Sequence, residues 1–462
     1  MTPTSPTLTS RLAAFVIDTP SASLGAALCT LAQAALVDTL GCALAAFEEP
    51  VVRIARDSVP DACGAGLVAS VWGDTRGDTR RVAMADAAFV NAIASHALDF
   101  DDNMPTLRGH PSTTLVPTVL AVAEACGASG LEAVAAYVLG VEVAGKLGVT
   151  MGSGHYVRGW HPTSTVAVYG ATAAAARLLG LSAERLATAW AIAASQSAGL
   201  TVNFGTMTKP FHAGHAARNA VQAVLLARAG FTAHPAIFDG PRSAIATYRG
   251  DDGEPLAPQL DRLGAPWEVE DPGVFVKRWP CCYCSHRPIS GLLQLMQRER
   301  IGADEVLGIA IGFPPGTDAG LVKAVPRTGL AGKFSIEYTA AAAVTDGDVT
   351  LASFTDAALE RPDVQALMAR VRVHPIEDTK RWSATVGYND VVIETARGRF
   401  AMRVHTTPGS PQTPLSASEL DAKFTDCARA ALGDAGAAAA LRLARDLQGQ
   451  PDCTELIARL RR

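Results

Sequence analysis

The feature that most restricts the fold is a series of long, alanine-rich, apolar segments with helical periodicity, spread over roughly the first 250 residues. They are Leu24–Phe47, Ala83–Leu98, Leu115–Cys126, Leu131–Leu147, Ser164–Leu179 and Ala183–Ser197. Small side chains at helical spacing let neighbouring axes approach closely, so these segments predict a tightly packed helical core. No fixed-period repeat joins them.

The texture changes across Gly253–Gly273, a stretch rich in proline and glycine that reads as a connection. Beyond it, Val306–Phe313, Val371–His374, Asp390–Glu394 and Phe400–Val404 have the alternation of strands. Ile289–Arg298, Ile336–Ala343 and Pro362–Arg370 read as the helices between them. A second connector, Thr406–Pro414, leads into Ser416–Leu432, Ala435–Leu447 and Thr454–Arg461, which are helical again. The expected fold is mostly α. A large all-helical domain is built from both chain ends, 1–268 and 406–462, and a smaller inserted α+β lid domain spans 269–405.

Several function classes are disfavoured. The net charge is −5 and there is no long basic run, which argues against nucleic acid as a partner. No uninterrupted apolar run reaches the ~18 residues of a membrane span. Met1–Ser10 lacks the pattern of a signal peptide. Nine cysteines, an odd number, read as free thiols in a reducing compartment, so a cytoplasmic protein is expected. There is no phosphate-binding loop and no GxGxxG fingerprint between a strand and a helix, so no cofactor is expected.

Lysine is scarce beside arginine: Lys146, Lys209, Lys277, Lys323, Lys333, Lys380 and Lys423 are the whole set. Three segments place a basic residue just before a helix-starting proline: His110-Pro111, His161-Pro162 and Lys209-Pro210. A helix N-terminus favours anions, so a lysine there calls for an anion to complete the site, and a histidine there is biased to its neutral form. The alternative for each histidine is an ordinary capping or packing residue.

Asp99, Asp101 and Asp102 close an apolar helical stretch. Asp99 is expected to face inward, whereas Asp101 and Asp102 read equally well as solvated caps or, less well, as Mg²⁺ ligands. The cluster Lys277-Arg278-Trp279-Pro280-Cys281-Cys282-Tyr283-Cys284-Ser285-His286 holds one C-x2-C pair. With no second pair to complete a four-ligand site, packing is preferred to metal for its cysteines, and no metal site is expected.

Taken in order, six motifs resemble the MmgE/PrpD family across nearly the whole chain. They are His96-Ala97-Leu98-Asp99-Phe100-Asp101-Asp102, Gly109-His110-Pro111-Ser112, Gly159-Trp160-His161-Pro162-Thr163, Met207-Thr208-Lys209-Pro210-Phe211-His212, Lys277-Arg278-Trp279-Pro280-Cys281-Cys282 with His286, and Lys333-Phe334-Ser335-Ile336-Glu337-Tyr338. The family includes 2-methylcitrate dehydratase, cis-aconitate decarboxylase and iminodisuccinate epimerase. The resemblance implies a metal-free homodimer acting on a small polycarboxylate, with a cleft lined by Asp99, His110, His161, Lys209, Lys277 and Tyr338. Asn103, Arg108, Cys282 and His286 are implied as substrate-binding residues.

The decarboxylase branch carries a threonine where this chain has Asn103 and a histidine where it has Cys282, which favours a 2-methylcitrate dehydratase-like hydro-lyase. An epimerase of the iminodisuccinate type and a non-catalytic carboxylate-binding homologue are the alternatives. All three family chemistries move a proton on a carbon beside a carboxylate. The resemblance implies His110 or His161 as acid or base, Lys209 and Lys277 on carboxylates, Asp99 orienting them, and Tyr338 protonating a leaving hydroxyl.

Overall fold

A computed structural model describes residues 6–62, 66–74 and 81–461; the first five residues of the amino-terminal stretch read above lie outside them. The chain is mostly helical. The alanine-rich segments form the helices Ala26–Ala45, Met84–Ala97, Pro111–Cys126, Gly130–Val157, Ala167–Leu178 and Ala183–Ala194, followed by Thr208–Arg228.

Several boundaries depart from the sequence reading, two of them at helix starts for local reasons. The helix expected from Leu115 already starts at Pro111, because proline fits the first helical position. The segment expected as one helix from Ser164 is a short turn, Pro162–Thr165, separated from Ala167–Leu178 by Val166 at φ −117°.

Among the described residues, two large hydrophobic cores form, with a small third cluster of Cys282, Cys284 and Phe334. The first takes residues from Leu12 to Val269 and again from Leu420 to Leu460. The helix Ala417–Arg445, interrupted at Gly433 (φ 68°), packs along Ala26–Ala45. The second core runs from Trp279 to Val404. Its sheet has the order Val371–Pro375, Val306–Phe313, Asn389–Thr395, Gly398–Val404; the first pair is parallel and the other two antiparallel. Buried and half-buried residues alternate along Asn389–Thr395, the pattern of a strand with one face on a core. That face packs on the helix His286–Glu299, where Gly291 lies against Val391 and Val404.

Ala26–Ala45 and Gly130–Val157 are long and apolar enough to cross a membrane, which corrects the reading from uninterrupted runs. Scattered Gln33, Asp38, Glu132 and Glu142 break the runs without lowering the mean hydropathy much. Both helices are mostly buried among their neighbours, as core helices are.

Helix contact is close where glycine permits it. A Cβ on Gly140 would lie 3.0 Å from the Gly170 carbonyl oxygen, and one on Gly170 would run into the carbonyl of Gly140. Gly170→Ala should therefore destabilise the fold by about 1–3 kcal/mol, although the same exchange in a free helix is stabilising by about 1 kcal/mol. Urea unfolding measures this; an unchanged or raised midpoint would contradict the packing.

Candidate active site

Between the two cores lies a cavity lined by Asp99, Asn103, Arg108, His110, His161, Lys209, Lys277 and Cys282, among others. Eight of the ten residues singled out in the sequence thus meet here. Five segments supply them: the turn after Met84–Ala97, the two His-Pro helix starts, the first turn of Thr208–Arg228, and the extended chain through Phe275 and Lys277. That chain is tied to the turn by Asn103 N–H donating to the Phe275 carbonyl at 2.9 Å and Phe275 N–H returning to Asn103 at 2.7 Å.

At the floor, one carboxylate holds two ammonium groups. Lys209 Nζ lies 2.5 Å from Asp99 Oδ1, and Lys277 Nζ lies 3.1 Å from Oδ2 and donates to the Asp99 carbonyl at 2.8 Å. The anion that the lysine at the helix start calls for is therefore the protein's own Asp99. Burial pushes the Asp99 carboxyl upward, but the two lysines outweigh it and hold it below the usual carboxylate range. Asp99 also takes φ 52°, a left-handed conformation that aspartate tolerates at a modest cost. The turn thus aims a carboxylate where a regular helix end would not.

The other two aspartates are fully buried, which corrects their reading as solvated caps. Asp101 Oδ2 lies 2.8 Å from His96 Nδ1 and 3.1 Å from His110 Nδ1. His110 Nδ1 is also 2.6 Å from the Asp102 carbonyl. A carbonyl only accepts, so Nδ1 of His110 carries the proton and Nε2 keeps the lone pair. Burial lowers the affinity of His110 for a second proton and outweighs the pull of Asp101. His161 is held well below its ordinary value, first by burial and then by His212, whose Nδ1 lies 3.0 Å from that of His161. The site thus holds neutral imidazoles beside two ammonium groups.

Two expected site residues lie elsewhere. Tyr338 is buried in the second core, and its hydroxyl donates to the Ser353 carbonyl, which leaves no proton aimed at the cavity. The helix Ile336–Asp346 turns the ring inward against Phe354. His286 is packed flat against Tyr283, ring centres 4.7 Å apart, and does not line the cavity. Cys282 does line it, beside Cys284, whose thiol lowers that of Cys282.

Sequence reasoning missed His212, Lys423 and the orienting role of Asp101. Lys423 Nζ, from the C-terminal helix, lies 2.6 Å from Asp38 and donates to the carbonyls of Phe100 and Lys277, each at 2.9 Å. It braces from behind the two backbones that carry Asp99 and Lys277. Its scarcity as a residue type was the one signal available.

Among the described residues, two groups approach metal-ligand spacing: His96, His110 and His161, and His96, Asp99 and Asp101. Two ammonium groups already share the Asp99 carboxylate, and Asp101 accepts from two imidazoles. Little negative charge is left over to offset a dication.

Burial raises the Asp102 carboxyl to about 8, against the hydrogen bonds from Ser112. Between the ordinary carboxyl value of 3.8 and about 8, the folded chain then holds a proton that the unfolded chain lacks, so stability falls as pH rises through that window. The buried histidines act in the opposite sense, but only below their ordinary value of 6.5. From there to about pH 8, Asp102→Asn should flatten the decline seen in the parent chain. Parallel curves from chemical unfolding would contradict a protonated Asp102.

The MmgE/PrpD N-terminal domain model matches residues 10–255, and the MmgE/PrpD C-terminal domain model matches residues 279–448. The cis-aconitate decarboxylase of Mus musculus is 30% identical over 84% of this chain and 80% of its own length. That of Homo sapiens is 27% identical over 92% and 89%. A cis-aconitate decarboxylase-like protein of Aspergillus oryzae is 25% identical over 98% and 96%. With both family domains matched in order around the cavity that holds the shared motifs, the chain belongs to the MmgE/PrpD family.

Proposed function

We propose that this chain is a metal-independent lyase of small polycarboxylates, and that it works through negative charge developed on a carbon beside a carboxylate. The observation that carries this is the buried Asp99 carboxylate shared by Lys209 and Lys277, set next to neutral His110 and His161. Each ammonium has three N–H donors, and Asp99 engages only part of them. The rest are available to a substrate carboxylate and to the enolate-like charge that grows on it. His110 Nε2, held in one tautomer by its Nδ1 contacts, is the base that takes the proton. His161, coupled to His212, returns a proton to the departing or newly formed group.

Within this class, we favour loss of water from a 2-methylcitrate-like hydroxy acid. Asn103 and Cys282 line the cavity where the decarboxylase pattern has threonine and histidine. With Tyr338 turned away, the acid for a leaving hydroxyl falls to His161 or to the cavity-lining Tyr156. A second reading, loss of CO2 from a cis-aconitate-like tricarboxylate, is favoured by the names of the relatives. It uses the same cations, with the imidazole supplying a proton to the carbanion rather than removing one.

The two readings separate by product. Alkene formation from 2-methylcitrate or citrate without gas release supports the hydro-lyase, and CO2 release from cis-aconitate supports the decarboxylase. Lys209→Ala and His161→Gln should each cut turnover by roughly 10²–10³-fold with the fold retained. Exhaustive chelation should leave the parent rate unchanged. Near-normal rates in the variants, or a rate that depends on added metal, would overturn the assignment.

A further inference from the structure

The floor of the cavity balances its own charge. The ammonium groups of Lys209 and Lys277 share the Asp99 carboxylate, the Asp101 carboxylate lies just behind against the imidazoles and acts on Lys277 through its charge, and the imidazoles are neutral. A tricarboxylate entering this space needs further cations to offset its charge. Two guanidinium groups line the cavity, those of Arg108 and Arg381. Arg108 is already faced by Asp252 and Glu254. No hydrogen bond or ion pair commits the guanidinium of Arg381 among the described residues, and its side chain is exposed.

The backbone under Arg381 is nonetheless fixed. Trp382 N–H donates to the Pro315 carbonyl at 2.8 Å, and its indole N–H donates to Asp378 at 2.9 Å. The Ser383 carbonyl accepts from the buried Arg287 at 3.2 Å. Gly316, at φ 90°, lets the stem of Arg381 lie across it; a Cβ there would be 3.3 Å from Arg381 Cγ. The loop thus holds an uncommitted, bidentate carboxylate-binding group on the wall of the cavity that belongs to the second core, away from the lysines.

We propose that Arg381 forms a subsite for the outermost carboxylate of a tricarboxylate, so that the chain selects tricarboxylates over dicarboxylates by a contact made from the α+β unit. This rests on the polycarboxylate reading of the site. The subsite binds substrate without touching the reacting carbon, so its loss acts on affinity rather than on the chemical step.

The test is calorimetric binding of propane-1,2,3-tricarboxylate and of methylsuccinate, which replaces one carboxymethyl arm by a methyl group. Arg381→Ala should weaken the tricarboxylate by roughly 10- to 100-fold and change methylsuccinate by less than about threefold, with Arg381→Lys in between. In turnover, KM should rise while kcat holds. Unchanged tricarboxylate affinity, or an equal loss for both ligands, would overturn the subsite. If neither ligand binds the parent chain, the polycarboxylate reading itself fails and the subsite with it. An unchanged melting profile of Arg381→Ala separates these outcomes from misfolding.

Discussion

Asp99 is the residue on which the rest of the site depends. Taking one carboxylate and two ammonium groups out of water costs several kcal/mol per ion unless the geometry offsets it. Here the offset fixes three distant stretches of chain at once: the turn after Met84–Ala97, the start of Thr208–Arg228, and the extended segment at Lys277. A second buried ion pair, Lys423 with Asp38, stands directly behind the first and hydrogen-bonds the carbonyls of Phe100 and Lys277. Charge that would be a liability in an apolar core becomes the means of holding the backbone of the site in register.

That arrangement needs a stiff surround, and the alanine-rich helices provide it. Where Gly140 meets Gly170, or Gly214 meets Phe89 and Ile93, helices approach so closely that no side chain fits between them. Close-packed elements of this kind have few alternative arrangements, so helix starts aim their first residues reproducibly. His110, His161 and Lys209 all sit at such starts, and each is fixed further by a backbone or side-chain partner: Thr163 to His110 N–H, Gly199 to His161 N–H, and Asp99 to Lys209.

Much of this was legible in the sequence because it is local. Helical periodicity, the alternation in Asn389–Thr395, and the interruption near Gly433 all depend on near neighbours. Lysine scarcity was also informative: Lys146, Lys209, Lys277, Lys333 and Lys423 are all engaged with buried partners. What stayed hidden depends on partners far along the chain. Asp101 and Asp102 look like helix-end caps until their ring and hydroxyl partners are in place. Tyr338 belongs to a recognised motif, yet the Ser353 carbonyl, which no local pattern reveals, takes its hydroxyl. Arg381 lies in an irregular loop whose nearness to the cavity arises only when Trp382 docks on Pro315.

In the function proposed here, neutral imidazole beside a lysine-held carboxylate labilises a carbon-bound proton without metal. Proton NMR in D2O, with chelated enzyme and a bound tricarboxylate at neutral pH, addresses it directly. Deuterium should enter the carbon beside a carboxylate, and that exchange should be lost when His110 is replaced by Gln. No exchange with a ligand shown to be bound, or exchange that appears only when a divalent metal is added, would contradict it.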